Sequence, residues 1–473
     1  MKNNKIIDIN KKSFINILIM LFSLIVVAIV ITYIVPKGTF GTKINEYGEI
    51  ITDYSNFIKL PDKSGINILK GLFGFILVLF SGDGLSLIML SLFLLVISGT
   101  FQVMSDTNGM KVIVNRLIRK FKDKKYTLVS LLTLVFMAFG TFFGLFEEVL
   151  TLLPLIVMIT ISLGYDGYLG FLICIVGCGF GFASGLTNPF TVITASNIIG
   201  ADPMSNIWFR VLVFILMYGL LLLFIFSHIK KLERDPKSSP TYDTDQNKLE
   251  IVSEEEIENE PRIFKTYLIL LLLILALIIT VTSIEALRGY TVVFLTAVFL
   301  VGGIVAGMIV NKNKKDTFKS FLKGVVCALP TILLVLLAAS IKYILEEGMI
   351  LATISNSIST LIEGKNIFLV AIIIYAIILV LEFFISSSTA KSIFVMGILS
   401  LVSVDLSKEM LVLIYLFGDG FTNVLLPTSP VLLIGLSMVG LNYFTWLKKS
   451  KFLFLLNTIL VIGLILFGIL IGY

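Results

Sequence analysis

Glu147 and Glu148 stand side by side in a stretch that is otherwise apolar from residue 127 to 164, and Asp419 stands between two glycines in another such stretch. An ionised carboxylate at membrane depth is costly unless it faces a cavity or a partner. These positions therefore ask for a polar site enclosed by protein. Adjacent residues on a helix point in different directions, so one glutamate would face that site and the other a helix or a cation. A shallow hairpin with both carboxylates in interfacial water is the bland alternative. Asp419 would bring carboxylate, hydroxyl, amide and free backbone carbonyls around a cation or an amine, or simply cap the half-helix that follows it.

A second signal is a repeated tetrapeptide, Gly185-Leu186-Thr187-Asn188 and Gly420-Phe421-Thr422-Asn423, one copy in each half of the chain. Glycine and Asn-Pro are poor interior helix residues, so each copy should break a membrane helix and free backbone amides and carbonyls. Such groups persist in a bilayer only where they line a protein-enclosed cavity. Matching breaks in corresponding halves point to the substrate site of a secondary transporter. With the Ser-rich tip from Ser386 to Lys391 they give one candidate set for substrate or ion binding: Glu147, Glu148, Ser184, Thr187, Asn188, Ser387, Ser388, Thr389, Lys391, Asp419, Thr422 and Asn423. A hard cation such as sodium favours oxygen ligands, which places a candidate sodium position near Asn188, Asp419 and Asn423. Lys391 would pair with Glu382 across the tip or offer its ammonium to a substrate carboxylate. Four carboxylates (Glu147, Glu148, Glu382, Asp419) against one ammonium tilt the site toward a cationic substrate, a coupling cation, or both.

Other chemistry is poorly supported. Cys174, Cys178, Cys327 and His228 show no zinc-ligand spacing, and no catalytic residue or cofactor is assigned. Paired carboxylates can serve as acid and base, but a membrane-embedded enzyme lacks an accompanying metal or nucleophile motif. A passive channel is the remaining rival. Saturable accumulation against a gradient distinguishes it from a carrier.

The elements that must hold these residues are membrane spans. The chain has 473 residues, is 57% hydrophobic and only 14% charged, with a mean hydropathy of +1.02. Soluble proteins carry about 25% charged residues, so this is a polytopic membrane protein. The net charge of +6 is concentrated in a few loops and fits topology control better than nucleic-acid binding. About 20 apolar residues make a span, and the positive-inside rule then gives a cytoplasmic N-terminus, retained as a first helix rather than a cleaved signal, and an outside C-terminus. The expected fold is all-α. Residues 1–229 form a first repeat with hairpin 127–164 and broken helix 169–199, and 230–262 a flexible cytoplasmic linker. Residues 263–473 form a second repeat with hairpin 366–403 and broken helix 411–440. The polar stretch 36–64 lies outside and the short run 66–81 is interfacial. The halves run in opposite directions, an inverted-topology repeat with two re-entrant hairpins.

Three blocks carry a family resemblance: Phe143-Gly144-Leu145-Phe146-Glu147-Glu148; Gly185-Leu186-Thr187-Asn188-Pro189-Phe190-Thr191-Val192; and Phe417 through Asn423 with Pro427-Thr428-Ser429. Together they resemble the YfcC-like branch of the anaerobic C4-dicarboxylate carrier family. The resemblance implies an ion transporter superfamily architecture: a scaffold that forms a homodimer, and a transport unit of hairpins and broken helices moving as an elevator in a bacterial cytoplasmic membrane. It leaves open dicarboxylate carriage and arginine/ornithine-type exchange, coupled to sodium, protons or counter-substrate. The acidic site favours an amino acid, and basic ones above others. The Ser386-to-Lys391 tip departs from the Ser-Gly-Ser-Gly-Gln more usual in that branch.

Overall fold

The computed structural model describes residues 11–44, 50–61, 64–82, 84–121, 124–249, 259–284, 287, 290–311, 314–362, 364–385, 388–399 and 405–473. It opens with α1 (Lys11–Ile34), β1 (Gly38–Ile44) and β2 (Ile50–Lys59), then two short helices, α2 (Ile68–Leu72) and α3 (Gly74–Leu77). The strands form an antiparallel pair with an irregularity between Phe40 and Gly41. The expectation of an all-α chain is corrected here. The run Ile50–Lys59 is rich in Ile, Thr, Tyr and Phe, which suit a pleated surface.

Helices α4 (Gly84–Asp106), α12 (Glu260–Ser283), α13 (Thr291–Val310) and α14 (Lys314–Glu347) pack with α1 as one group. Small residues bring their backbones close. Ser98 Oγ donates to the Gly324 carbonyl at 2.7 Å and Thr100 Oγ1 to the Phe299 carbonyl at 2.8 Å, the contact type that joins helices where water cannot drive association. α5 (Gly109–Phe121) bridges to the second group through α12 and α7.

The second group holds the candidate residues. α6 (Lys125–Phe143), ending in a π-helical turn, and α7 (Leu153–Ser162) are joined by the segment carrying Glu147 and Glu148. The chain then returns to where it started: Lys125 Nζ donates to the Leu163 carbonyl at 2.6 Å. α6 alone has 19 residues, about 28 Å at 1.5 Å per residue, so the two arms are unequal. α8 (Gly167–Ala183) and α9 (Pro189–Ile199) flank the first break, and α10 (Ile207–Arg234) follows. After the linker helix α11 (Tyr242–Leu249) and the α12–α14 group come α15 (Leu351–Ile362), α16 (Ile367–Phe384), α17 (Ser388–Leu399), α18 (Lys408–Gly420), α19 (Pro430–Val439) and α20 (Tyr443–Leu470). Ser386, Ser387 and 400–404 of the second hairpin lie outside the described residues.

The two broken helices run antiparallel. Lys408, at the start of α18, reaches the carbonyl of Gly200 just past α9 at 3.1 Å, while Gly435 of α19 faces Phe171 and Ile175 of α8. Between these ends Gly420 sits against Ala183, and Gly179 against Val424. The breaks therefore lie at one level.

Part of the stretch expected to be a flexible linker is instead folded. Asp166 caps α8 by accepting from Leu169 N at 2.8 Å, and also accepts from Ser239 Oγ at 2.7 Å and sits 3.0 Å from His228 Nε2. Asp245 accepts from Gly167 N at 2.8 Å and Thr241 Oγ1 at 2.6 Å. The free amides at a helix N-terminus attract such carboxylates, so the polar linker composition encodes a docking segment. Asp245→Ala should remove about 2 kcal/mol of this docking and speed proteolytic cleavage within 236–249 about 30-fold. Unchanged cleavage kinetics would refute the docking role.

Candidate functional site

The first break is stitched to the end of α6. Thr141 Oγ1 donates to the Ser184 carbonyl at 3.0 Å and accepts from Leu186 N at 3.0 Å. The Thr141 carbonyl accepts from both Leu186 N and Thr187 N, Thr187 Oγ1 donates to the Phe142 carbonyl at 3.1 Å, and Asn188 Nδ2 donates to the Gly140 carbonyl at 3.2 Å. Asn188 Oδ1 meanwhile accepts from Phe190 N at 2.9 Å and so caps α9. Gly140 makes this possible: a Cβ there would lie 2.2 Å from the Cys178 carbonyl oxygen. Ser184 turns back onto its own helix at the Phe180 and Gly181 carbonyls.

The acidic tip lies on α8. Cys178 Sγ donates to the Leu145 carbonyl at 2.5 Å and Cys174 Sγ to the Val149 carbonyl at 3.3 Å. Cys174 and Cys178, one helical turn apart, thus satisfy backbone carbonyls of the tip. Phe146 stacks edge-on against Phe182 with 6.0 Å between centroids. The two glutamates part as adjacent residues must. Glu148 is buried and accepts from Phe146 N at 3.1 Å, whereas Glu147 is half-buried.

The second break carries a fully buried charge cluster. Lys391 of α17 has no exposed side-chain surface, contacts Glu382 of α16, and lies with Nζ 2.7 Å from Asp419 Oδ1. Ser388 Oγ donates to Asp419 Oδ2 at 2.9 Å. Tyr415 OH donates to the Ser388 carbonyl at 2.5 Å and stands 3.4 Å from Asp419 Oδ1. Gly418 allows the approach of α16, since a Cβ there would meet Ile378 at 2.3 Å. Lys391 is therefore held by two carboxylates, and its ammonium is not free to meet a substrate carboxylate in this conformation.

Several sequence expectations shift. The Gly418-Asp419-Gly420 segment remains helical and the break begins at Phe421. Thr422 Oγ1 and Asn423 Nδ2 turn to the carbonyls of Gly418 and Asp419, so they close the end of α18 rather than point outward. Of the residues around the expected sodium position, Asn188 Oδ1 already accepts from Phe190 N and Asp419 already carries Lys391 and Ser388. Ser387 lies outside the described residues, and only the helical backbone of Thr389 is described. Residues that sequence reading passed over are Tyr415, one helical turn before Asp419 on the same face, and Thr141, which had no local signal.

Among the described residues six helices are long and apolar enough to span a bilayer. Together with the two broken helices they make a polytopic membrane protein. The chain belongs to the C4-dicarboxylate anaerobic carrier (DcuC) family, whose model matches residues 14–470. It is 26% identical over 394 residues to a provisionally named basic amino acid antiporter, YfcC, of Escherichia coli K12, covering 80% of this chain and 77% of that protein. An uncharacterised Haemophilus influenzae protein is 26% identical over 362 residues, covering 75% and 70%. Among solved structures the chain is similar to the Alcanivorax borkumensis YdaH transporter (TM-score 0.42, 16% identity, 96% and 98% covered). It is also similar to Neisseria gonorrhoeae MtrF, described as one of a class of antimetabolite efflux pumps (TM-score 0.45, 14% identity, 95% and 94% covered).

Proposed function

We propose that the protein is a secondary active transporter of a basic amino acid in a bacterial cytoplasmic membrane, working by arginine/ornithine-type exchange. The observation that carries this reading is charge: Glu382 and Asp419 both meet the single ammonium of Lys391 beside the second break, and Glu147 and Glu148 add two carboxylates at the tip between α6 and α7. A dianionic substrate would meet net repulsion there, and like-charge juxtaposition is costly in a desolvated site. The name of the E. coli relative agrees with a basic substrate.

In this reading α6–α7 and α16–α17 are re-entrant hairpins, and with α8–α9 and α18–α19 they form an inverted repeat. This unit moves as an elevator against the α1, α4 and α12–α14 group, which is the dimer scaffold. The end bearing Arg116, Lys125, Lys231 and Lys449 faces the cytoplasm, placing the N-terminus inside and the C-terminus outside.

Proteoliposomes loaded with arginine should take up labelled ornithine in exchange and ignore labelled succinate. Succinate exchange without arginine exchange would overturn the substrate reading. Glu148→Gln should lower exchange at least about 10-fold, the effect of losing roughly 1.4 kcal/mol of charge recognition, and Glu147→Gln should raise the apparent KM. Wild-type kinetics in both variants would remove the first hairpin from the site.

A further inference from the structure

The Lys391 cluster carries more charge than a structural ion pair needs. A one-to-one pair would neutralise Lys391; here Glu382 and Asp419 both meet it. A buried triad of this kind is weak evidence for stability, because well-packed apolar residues of similar volume often do as well or better. Its position is also informative. It joins the tip of the second hairpin to the last turn of α18, directly before the break at Phe421. Asp419 is ordered by Ser388, and Ser388 is itself tied to α18 by Tyr415. A second, independent feature lies on the same face of α16. Tyr375, seven residues before Glu382, is buried, and among the described residues its hydroxyl has no hydrogen-bond partner. Residues 375, 378 and 382 fall on one helical face, and Ile378 packs on Gly418 of α18. An unmet phenol on that seam is a donor and acceptor waiting for a polar partner.

We propose that Lys391 is a tethered cation seated in a binding subsite for a free one. Glu382 and Asp419, with Ser388 and Tyr415 ordering Asp419, form a subsite for an alkylammonium or guanidinium group, and Lys391 competes with the ligand for it. The inference rests on the reading above that the site takes a basic metabolite, and it names where the cationic group goes. Ligand entry moves the Lys391 ammonium out of the two carboxylates, and this loosens the hairpin tip from α18. Binding and opening are thereby linked through one ion exchange, with charge conserved: one monocation replaces another.

The test uses a cation that is not the transported metabolite. Lys391→Ala removes three methylenes and the ammonium, a space that propylammonium fills. Purified Lys391→Ala should be stabilised by propylammonium by more than about 3 °C in apparent Tm. The wild type should gain far less, and neutral propanol should do nothing for either. Adding Glu382→Gln leaves one carboxylate and should make the effect smaller. An equal response to propanol, an equal response of the wild type, or an undiminished effect in the Glu382→Gln background would overturn the proposal. If Lys391→Ala does not fold, Lys391→Ala/Asp419→Asn keeps the wild-type net charge and one carboxylate. It should show a smaller stabilisation that Glu382→Gln abolishes, and no stabilisation in it overturns the idea equally. The readout is independent of flux. Propylammonium stabilisation without arginine exchange would keep this inference and discard the basic-amino-acid reading, and the reverse result would do the opposite.

Discussion

Asp419→Asn is expected to lower transport by at least about 100-fold while leaving the apparent Tm within a few degrees of wild type. The two effects separate because of how the charges are arranged. Asp419 and Glu382 together face one ammonium, so amidating Asp419 leaves Lys391 paired with Glu382, and a balanced buried pair is tolerated where an uncompensated charge is not. The amide still accepts from Ser388 in place of the carboxylate oxygen. What is lost is negative charge for a cationic ligand. Truncating one partner of a buried charge pair costs about 2–5 kcal/mol, and 2.7 kcal/mol is about 100-fold. Initial exchange rates in proteoliposomes at matched protein content read the first effect and thermal unfolding in detergent the second. A variant that transports within threefold of wild type would show that Asp419 is a structural cap. A variant that fails to fold would show that the cluster is held for stability.

Much of this arrangement is legible in sequence, for reasons tied to particular residues. Glu147, Glu148, Lys391 and Asp419 stand out because ionisable groups in apolar runs are expensive. The Gly185–Pro189 segment is legible because glycine and Asn-Pro cannot continue a helix. The strands at Gly38–Ile44 and Ile50–Lys59 were hidden because their alternation is weak and interrupted by polar residues. The direction of side chains at the breaks was hidden for a different reason. Thr422 and Asn423 have two options of similar energy, a ligand or their own helix carbonyls, and composition does not choose between them. The contact of Thr141 with Ser184 and Leu186 spans over forty residues, and that of Asp166 with Ser239 over seventy. Such pairings depend on how helices dock, which periodicity in a single segment does not encode. Asp419 looked available to a cation because Lys391 is distant in sequence, yet the fold places the two 2.7 Å apart.

Gly420→Val should be among the most damaging substitutions at the described glycines. A Cβ at Gly420 would lie 2.1 Å from both the Cα and the N of Ala183, and both atoms belong to helix backbone that has no rotamer in which to yield. Accommodating even a methyl requires α8 and α18 to move apart at the level where both helices break. Overpacking a core costs about 1–3 kcal/mol when side chains adjust, and backbone contact places this site at or above the top of that range. Separation would also strain the stitching on either side: Gly140 and Gly181 hold α6 tight against α8, while Trp446 Nε1 holds the Val424 carbonyl at 2.9 Å. The lesion is therefore not absorbed locally. Gly420→Ala should already lower apparent Tm measurably, and Gly420→Val should yield little folded protein in the membrane, read as loss of a monodisperse peak after solubilisation. Gly463, whose Cβ would meet nothing within 4 Å, is the matched control: Gly463→Val on α20 should express and unfold like wild type. Equal tolerance at both positions would mean that the two broken helices do not touch at Gly420. The close antiparallel crossing on which the inverted-repeat reading leans would then fall with it.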